Sequence, residues 1–241
     1  MPFEASAAGA RVPLWKRTLD LMAIFLILPL AVPLAILIGV IISLVSPGPI
    51  LFRQERVGLR ARRFMCLKFR TMFVDAETSC HQGHLKNLME SNAPMLKLDV
   101  RGDCRIIPFG ILLRSSGLDE LPQLINVLMG DMSLVGPRPC LPYESEQYQP
   151  WQMERFNTLP GLTGLWQVSG KNKTTFNEMM ELDIKYSREK SFWKDMVIIV
   201  KTPLVIIGQM FESRQRKSGG TPSGPTRENK SPKLTVETQL N

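Results

Sequence analysis

The chain contains one long apolar run, Leu21–Val45, with the sequence LMAIFLILPLAVPLAILIGVIISLV. No charged residue occurs between Asp20 and Arg53. Because a helix rises about 1.5 Å per residue, this run is long enough for the roughly 30 Å hydrocarbon core of a bilayer. It is too long for the apolar part of a signal peptide, and a turn cluster follows it instead of a cleavage site. The run therefore predicts a membrane helix.

The prolines of this helix and the charges of the segments on either side of it indicate how it could pass through the membrane. Pro29 and Pro33 lie in the middle of the run, and each removes a backbone donor and favours a bend. Both flanks are basic, and basic flanks prefer the cytoplasmic side. A re-entrant helix that bends at the prolines places both flanks on that side. A straight single span is the alternative.

The remaining charge is also unevenly distributed. The 241 residues carry a net charge of +8, and seven basic residues against one acid lie between Arg53 and Arg70. Such a patch suits phosphate, anionic lipid or nucleic acid, or is simply a solvated loop. Because the patch directly follows the apolar run, we expect phosphate or membrane lipid as its partner and no nucleic acid.

The cysteines give little indication of a metal site or of disulfides. Cys66, Cys80, Cys104 and Cys140 form no CxxC pair, so we interpret them as reduced thiols in a cytosol-facing domain. Cys80 lies close to His81 and His84, which could suggest a metal site, but no second ligand pair has a recognisable spacing.

The pattern predicts a mainly helical α/β domain with a small sheet, associated with the membrane by an N-terminal re-entrant helix and amphipathic interfacial helices. We expect an N-terminal extension over residues 1–13, the membrane helix over 14–46, a catalytic body over 47–212 and a disordered tail over 213–241. Strands are predicted at Leu51–Gln54 and Phe64–Arg70, and helices at residues 74–90, Arg105–Arg114, Leu118–Leu128, Phe176–Arg188 and Phe192–Ile207. The last of these helices is either a core helix or an interfacial one.

The segment Leu113–Pro139, LRSSGLDELPQLINVLMGDMSLVGPRP, carries the chemistry. Ser116 with Asp119 three residues later resembles a capping box, which would place Asp119 and Glu120 in a first helical turn. Consecutive helical residues point about 100° apart, so the two acids suit separate roles, one attacking and one binding a metal. A capping acid beside a solvated acid is the plainer interpretation.

The same segment ends in Gly136-Pro137-Arg138-Pro139, which fixes an arginine between two prolines. A planar, permanently charged donor group in a rigid turn suits phosphate, although a structural arginine fits the pattern too. Arg114 lies five residues before Asp119, at the end of the preceding predicted helix, and is a second phosphate candidate.

Several motifs in order resemble the bacterial sugar transferase family, the monotopic phosphoglycosyl transferases, over about residues 14–210. They are Lys16-Arg17-Thr18-Leu19-Asp20, Ser46-Pro47-Gly48-Pro49 with the following Phe52 and Gln54, Lys68-Phe69-Arg70-Thr71-Met72, the block ending in GPRP, and Pro160-Gly161-Leu162-Thr163-Gly164. Two positions depart from the family pattern. Val32 stands where a serine precedes the bending proline, and Leu159 stands where a basic residue often precedes Pro-Gly.

The resemblance implies a function at the cytoplasmic face of a bacterial inner membrane. Asp119 would take a hexose-1-phosphate from a UDP-sugar with release of UMP, and undecaprenyl phosphate would then accept it. Glu120, with Asp119, would hold Mg²⁺. Under the same mechanism Arg138 and Arg114 would stabilise the charge on the transferring phosphorus, and Lys68 and Arg70 are further candidates for phosphate or substrate binding. The region of residues 167–173, which begins with Gln167 and follows Trp166, could hold the nucleotide or the sugar, with a packed loop as the alternative. Such a reaction would be the first membrane step of exopolysaccharide or other surface glycan synthesis, with downstream glycosyltransferases as partners.

Two other functions fit parts of the sequence. A catalytically inactive scaffold for polysaccharide assembly would retain the membrane helix without needing the acids. A membrane-tethered nucleic-acid binder is suggested only by the charge and would lose its ligand steeply with salt. The intact Asp119, Glu120 and Arg138 favour the enzyme.

Overall fold

The computed structural model describes residues 12–74, 91, 105–170 and 174–218, with side chains described as far as residue 208. The regular structure of these residues consists of helices and two small two-stranded sheets, so the predicted mainly helical α/β class is confirmed. The helix predicted over 74–90 lies outside the described residues. The first helix, α1, covers Leu14–Val45 and includes both prolines. It is long and apolar enough to cross a membrane, judged by length and composition.

Residues along the whole length of α1 are buried against the rest of the chain. Ile24 in its first half and Ala31 near its middle belong to a cluster that includes Val127. Its second half contributes Ile38 and Ile42 to another cluster. Most other apolar side chains of α1 are exposed, among them Phe25, Leu26, Leu30, Ile36 and Leu44. Both halves of the helix therefore contact the folded body.

An antiparallel hairpin follows α1. Strand β1, Leu51–Val57, pairs with β2, Arg63–Phe69, which confirms both predicted strands and extends the first by three residues. The outer edge of β2 is covered by the side-chain amide of Asn126, which donates to the Met65 carbonyl and accepts from the Leu67 amide. Because this amide imitates a neighbouring strand, it fixes the following helices against the hairpin.

The predicted helix Arg105–Arg114 is wrong at its N-terminal boundary, because the observed helix begins five residues later. Helix α2 covers Gly110–Ser116, because Ile106 instead bridges to Met72 and the Ile107 amide donates to the Thr71 carbonyl. The predicted helix Leu118–Leu128 is divided into a 3₁₀ turn, Leu118–Glu120, and α3, Gln123–Met129. Pro122 caps the start of α3, and Gly130 at φ +91° ends it.

A second, parallel sheet was not predicted. Strand β3, Ser133–Val135, pairs with β4, Gly161–Thr163. A Cβ atom on Gly136, Gly161 or Gly164 would collide with the backbone of the facing segment, so only glycine permits this close approach. Between β3 and β4 lie the short helix α4, Pro142–Ser145, and a 3₁₀ helix, Pro150–Asn157.

Two longer helices complete the described fold after the short α5, Leu165–Val168. Helix α6, Phe176–Glu189, begins with a capping box between Thr175 and Glu178 and confirms its prediction. Helix α7 covers Phe192–Ser218, so it continues six residues into the segment predicted as a disordered tail. One face of α7, which includes Asp195 and Ile198, is buried, whereas a stripe of apolar side chains elsewhere on this helix is exposed.

Candidate active site

The carboxylate turn, Leu118–Glu120, carries Asp119 and Glu120 in its first turn, as predicted. The predicted capping box is wrong, because Gly117 and not Ser116 occupies the N-cap position of this turn. The Ser116 hydroxyl donates to the carbonyls of Leu112 and Leu113 within α2 and accepts from the Leu118 amide at 3.5 Å. Gly117 at φ +73° ends α2 and redirects the chain into the carboxylate turn. Both acids are partly exposed, and Arg114 lies in the last turn of α2 just before them.

Lys68 connects the hairpin to the carboxylate turn. Its Nζ atom donates to Glu120 Oε1 at 2.7 Å, with the two side chains 23% and 35% exposed. Arg70, two residues later, has a different position. Its guanidinium donates to the carbonyls of Ser46 and Pro47, both at 2.7 Å, at the end of α1. The contacts of Arg70 therefore join the end of α1 to the hairpin, whereas Lys68 contacts Glu120.

One face of the hairpin carries Arg56, Cys66 and Lys68, because Arg56 pairs with Phe64 and side chains two residues apart share a face. Along β2 this face extends about 13 Å from Phe64 to Lys68. Burial raises the pKa of the Cys66 thiol, on which the charges of Lys68, Arg56, Glu120 and Arg138 all act. Because Lys68 donates to Glu120 and Arg56 donates to the Pro139 carbonyl, the carboxylate turn and the turn that contains Arg138 both border this face of the hairpin.

The arginine turn, Gly136-Pro137-Arg138-Pro139, follows β3 directly. Arg56 donates to the Pro139 carbonyl at 3.0 Å, which fastens the turn to the hairpin. On its other side, the Gly161 amide donates to the Pro137 carbonyl at 2.8 Å. Two motifs far apart in sequence thus meet here, and Gln167 lies beside them, next to Gly164.

The Arg138 side chain is 23% exposed and donates to Glu144 Oε2 at 3.3 Å. Glu144, which is completely buried, was missed by the sequence reasoning. The structure places Arg138 and Glu120 around the same hairpin, but it gives each a separate ion-pair partner. The site therefore consists of a carboxylate end and an arginine end.

Other buried residues around the arginine end were also missed. Arg155 donates to the Arg138 carbonyl and to Asp183 at this end, whereas Asn126, which was missed at the carboxylate end, joins α3 to β2. A sequence signal existed for Asp183. It occupies the apolar face of α6 with Phe176, Met179, Met180 and Ile184, where an acid is unexpected unless it is paired.

The two acids of the carboxylate turn fit Mg²⁺. They supply hard oxygen donors that are partly exposed, and Mg²⁺ usually combines one or two carboxylates with water and substrate phosphates. Among the described residues there is no group of three or more metal-ligating side chains that would form an all-protein cage. Cys80, His81 and His84 lie outside the described residues.

Comparison with known proteins decides the family. The sequence pattern of the bacterial sugar transferases matches residues 11–209. The chain belongs to the bacterial sugar transferase family. This confirms the resemblance found in the motifs.

Three similar bacterial sugar transferases illustrate the range of the family. The galactosyl transferase CpsE of Streptococcus agalactiae is 44% identical over 161 residues, covering 66% of this chain and 35% of that protein. A UDP-glucose:undecaprenyl-phosphate glucose-1-phosphate transferase of Caulobacter vibrioides is 41% identical, covering 79% of this chain and 69% of that protein. The exopolysaccharide production protein ExoY of Rhizobium meliloti is 34% identical, covering 84% and 89%.

The chain spans only part of some relatives. It covers 35% of the Streptococcus protein and 40% of an undecaprenyl-phosphate galactose phosphotransferase of Salmonella typhimurium, to which it is 37% identical. The region shared with these longer relatives includes both the carboxylate turn and the arginine turn.

Proposed function

We propose that this chain transfers a hexose-1-phosphate from a UDP-sugar to undecaprenyl phosphate through a phosphosugar bound covalently to Asp119. The names of three relatives, which specify undecaprenyl phosphate with galactose or glucose, support the substrates. The observation that carries the proposal is the common hairpin face. It borders two adjacent carboxylates at one end and a fixed arginine at the other.

The reaction takes place in two displacements. A carboxylate oxygen of Asp119 attacks the phosphorus attached to the sugar, and the bond from that phosphorus to the bridging oxygen breaks, so that UMP leaves. A phosphate oxygen of undecaprenyl phosphate then attacks the same phosphorus. The bond to Asp119 breaks, which restores the carboxylate and gives undecaprenyl diphospho-sugar. Covalent attack thus divides one phosphate exchange into two steps.

The neighbouring charges assist this chemistry. Asp119 and Glu120 would hold Mg²⁺, which when bound neutralises the negative charge of the diphosphate. Lys68 keeps Glu120 fixed by the contact at 2.7 Å and adds positive charge near the carboxylates. Arg138, whose backbone is held by two prolines, binds phosphate oxygens of the donor at the other end of the site.

The membrane arrangement we propose is the re-entrant one. Lys16 and Arg17 at the start of α1 donate to the body, and Ser46 at its end accepts from Arg70, so both ends of α1 contact one folded body. A straight span would carry one end away from that body to the other side of the bilayer. This geometry supports a bend near Pro29 and Pro33, with the catalytic body on the cytoplasmic face.

Release of UMP tests the reaction. Membranes containing the protein, supplied with undecaprenyl phosphate, Mg²⁺ and a panel of UDP-sugars, should release UMP with at least one sugar. Asp119→Asn should abolish release, whereas Asp131→Asn, which changes another acid of the same block, should retain it. Full UMP release by Asp119→Asn would contradict the proposal. Absence of release by the wild type, with polymer export still supported by Asp119→Asn, would favour the scaffold.

Cysteine labelling tests the topology. In a variant without native cysteines, Ser6→Cys and Arg62→Cys place one thiol before α1 and one in the hairpin loop after it. A membrane-impermeant maleimide added to spheroplasts should label neither thiol until the membrane is permeabilised. Labelling of one thiol in intact spheroplasts would contradict the re-entrant helix and support a single span.

A further inference from the structure

Arg155 forms a buried junction behind the arginine turn. It belongs to the 3₁₀ helix Pro150–Asn157, and its side chain is 1% exposed. It donates to the Tyr148 hydroxyl at 2.7 Å, to Asp183 Oδ2 at 2.6 Å and to the main-chain carbonyl of Arg138 at 2.7 Å. One guanidinium therefore connects three separate parts of the chain.

The bond to the Arg138 carbonyl acts on the least constrained part of a rigid turn. Pro137 and Pro139 have fixed φ angles, and Pro139 also restricts the ψ angle of Arg138 to extended values, so the ψ angle of Pro137 and the φ angle of Arg138 are the main freedoms left to the Arg138 carbonyl. The bond from Arg155 fixes the orientation of this carbonyl, and the completely buried Glu144 holds the far end of the Arg138 side chain. Arg138 is thus held at its backbone by Arg155 and at its guanidinium by Glu144.

We infer that Arg155 is a positioning residue for Arg138 and thereby for binding of the UDP-sugar diphosphate. The inference rests on the proposed function, because it assigns Arg138 to the donor substrate. Arg155 has no direct role in the reaction. It sets the orientation of the Arg138 guanidinium. A phosphate of the donor substrate accepts two parallel hydrogen bonds from a guanidinium only when that group has one particular orientation.

A purely structural role for Arg155 would be to join its 3₁₀ helix to α6 through Asp183. The same two elements are already joined by an exposed pair, in which Arg188 donates to both carboxylate oxygens of Glu154 at 2.8 Å. That pair makes no contact with the arginine turn. Arg188→Met is therefore a matched control that removes a connection between the two elements without disturbing Arg138.

Asp183 supplies a second control. Burial raises the pKa of Asp183 to about 6 despite the attraction of Arg155, so its carboxylate is held in an unfavourable environment. Asp183→Asn keeps a side-chain acceptor for Arg155 and leaves the bond from Arg155 to Arg138 in place. If Arg155 acts on Arg138, this variant should bind the donor as the wild type does.

The decisive variant is Arg155→Met/Asp183→Leu. It removes both buried charges together, which avoids leaving an unpaired one, and it deprives the Arg138 carbonyl of its donor. Arg155→Lys is the second variant. It keeps a positive charge beside Asp183, but one ammonium group cannot reach all three acceptors in the geometry of a planar fork.

The experiment measures thermal unfolding in detergent and the KM and kcat for UMP release, with each substrate varied in turn. For folded Arg155→Met/Asp183→Leu, we expect the KM for UDP-sugar to rise at least tenfold and kcat/KM to fall about 100-fold. The KM for undecaprenyl phosphate should stay within about twofold of the wild type. Arg155→Lys should show a smaller rise in the same constant. Both controls should keep the wild-type KM for UDP-sugar, although Asp183→Asn, which leaves the buried Arg155 without its counter-charge, should unfold at a lower temperature.

A lost structural support would instead lower the active fraction, which reduces kcat without changing KM. An unchanged KM for UDP-sugar in either folded Arg155 variant would overturn the inference. Failure of both variants to fold would also contradict it, because Arg155 would then serve folding. If the wild type itself released no UMP, the proposed function would fail, and the two failures would thus be distinguished.

Discussion

At the scale of single residues, Lys68 makes a partly exposed contact that we expect to matter more to the chemistry than to the stability of the fold. Its ammonium lies 2.7 Å from Glu120 Oε1, beside the proposed nucleophile. Because water reaches both groups, screening keeps the contribution of this pair to folding small. In the proposed reaction, its position next to the carboxylates would give it a direct electrostatic effect on a dianionic substrate.

Replacing Lys68 should therefore separate activity from stability. We expect Lys68→Met to lower kcat/KM for UMP release by roughly tenfold to 100-fold, while the free energy of unfolding changes by less than about 1 kcal/mol. The control is Arg63→Met, which breaks an exposed pair with Glu55 at 3.2 Å on the same hairpin. Equal activities of the two variants would contradict the role of Lys68.

The sequence identified the types of residue at the site better than their contacts. Lys68 and Arg70 occur in one motif and were both predicted to contact substrate, yet only Lys68 reaches an acid of the carboxylate turn. Strand alternation alone places both side chains on one face. The approach of the end of α1, with carbonyls that accept from Arg70, is a tertiary feature that the motif does not contain.

At the scale of elements, the start of α1 is fastened to β3 by two side chains one turn apart. Lys16 Nζ donates to the Val135 carbonyl at 2.8 Å and to Asp195 at 2.6 Å. Asp20 accepts from the Ser133 hydroxyl and from the Leu134 amide. Because β3 continues directly into the arginine turn, this contact relates the position of the membrane helix to that of Arg138.

Breaking this connection should destabilise the fold strongly. Lys16→Met leaves Asp195 buried without its cation, which costs about 3–5 kcal/mol. For a chain of this size, such a loss lowers the unfolding temperature by roughly 6–20 °C. The measurement is thermal unfolding in detergent or nanodiscs.

The double variant Lys16→Met/Asp195→Leu is the control for Lys16→Met, because it removes both charges and should regain much of the loss. An unfolding temperature of Lys16→Met within about 2 °C of the wild type would refute this account of the pair.

The sequence pattern predicted the type of a secondary-structure element correctly where the element is long. Helices α1 and α6 and the hairpin were predicted close to their observed bounds, because their periodicity extends over several turns or residue pairs. The three-residue strands β3 and β4 carry too little pattern to recognise. The capping box failed because Gly117 takes the N-cap position of the carboxylate turn while Ser116 belongs to the last turn of α2, and sequence spacing does not show where α2 ends.

At the scale of the whole molecule, exposed apolar side chains occur on α1, α2, α3 and α7. On α7 they form a stripe at helical spacing, consisting of Trp193, Val197, Val200, Leu204 and Ile207. Helices α2 and α3 add Ile111, Leu112, Ile125 and Met129. Such surfaces on a chain with a membrane helix suit the interfacial interpretation of α7, in which the stripe lies in the headgroup region.

Trp193 reports directly on this arrangement, since its side chain is 76% exposed. In nanodiscs with lipids brominated near the headgroup end of the acyl chain, we expect Trp193 fluorescence to be quenched. The contribution of Trp193 is obtained as the difference between wild type and Trp193→Phe. Quenching by aqueous iodide and not by brominated lipid would show that α7 faces water and would contradict the interfacial interpretation.

The way in which the separate motifs come together in the site could not be predicted from the sequence. Three glycines allow the segment of the arginine turn to approach closely the backbone of a segment about 25 residues later. The buried Arg155 and Glu144 then hold Arg138 in place. None of these contacts follows from local propensity or periodicity. The motifs could be recognised individually, but their relative placement depends on packing across the chain.

The central claim is that Asp119 becomes covalently bound to the sugar phosphate. The most direct measurement is intact-protein and peptide mass spectrometry after incubation with UDP-sugar and Mg²⁺ without undecaprenyl phosphate. The account predicts an added hexose phosphate on the peptide containing Asp119, its loss when undecaprenyl phosphate is added, and no adduct in Asp119→Asn. Turnover without any such adduct, or an adduct that persists in Asp119→Asn, would contradict it.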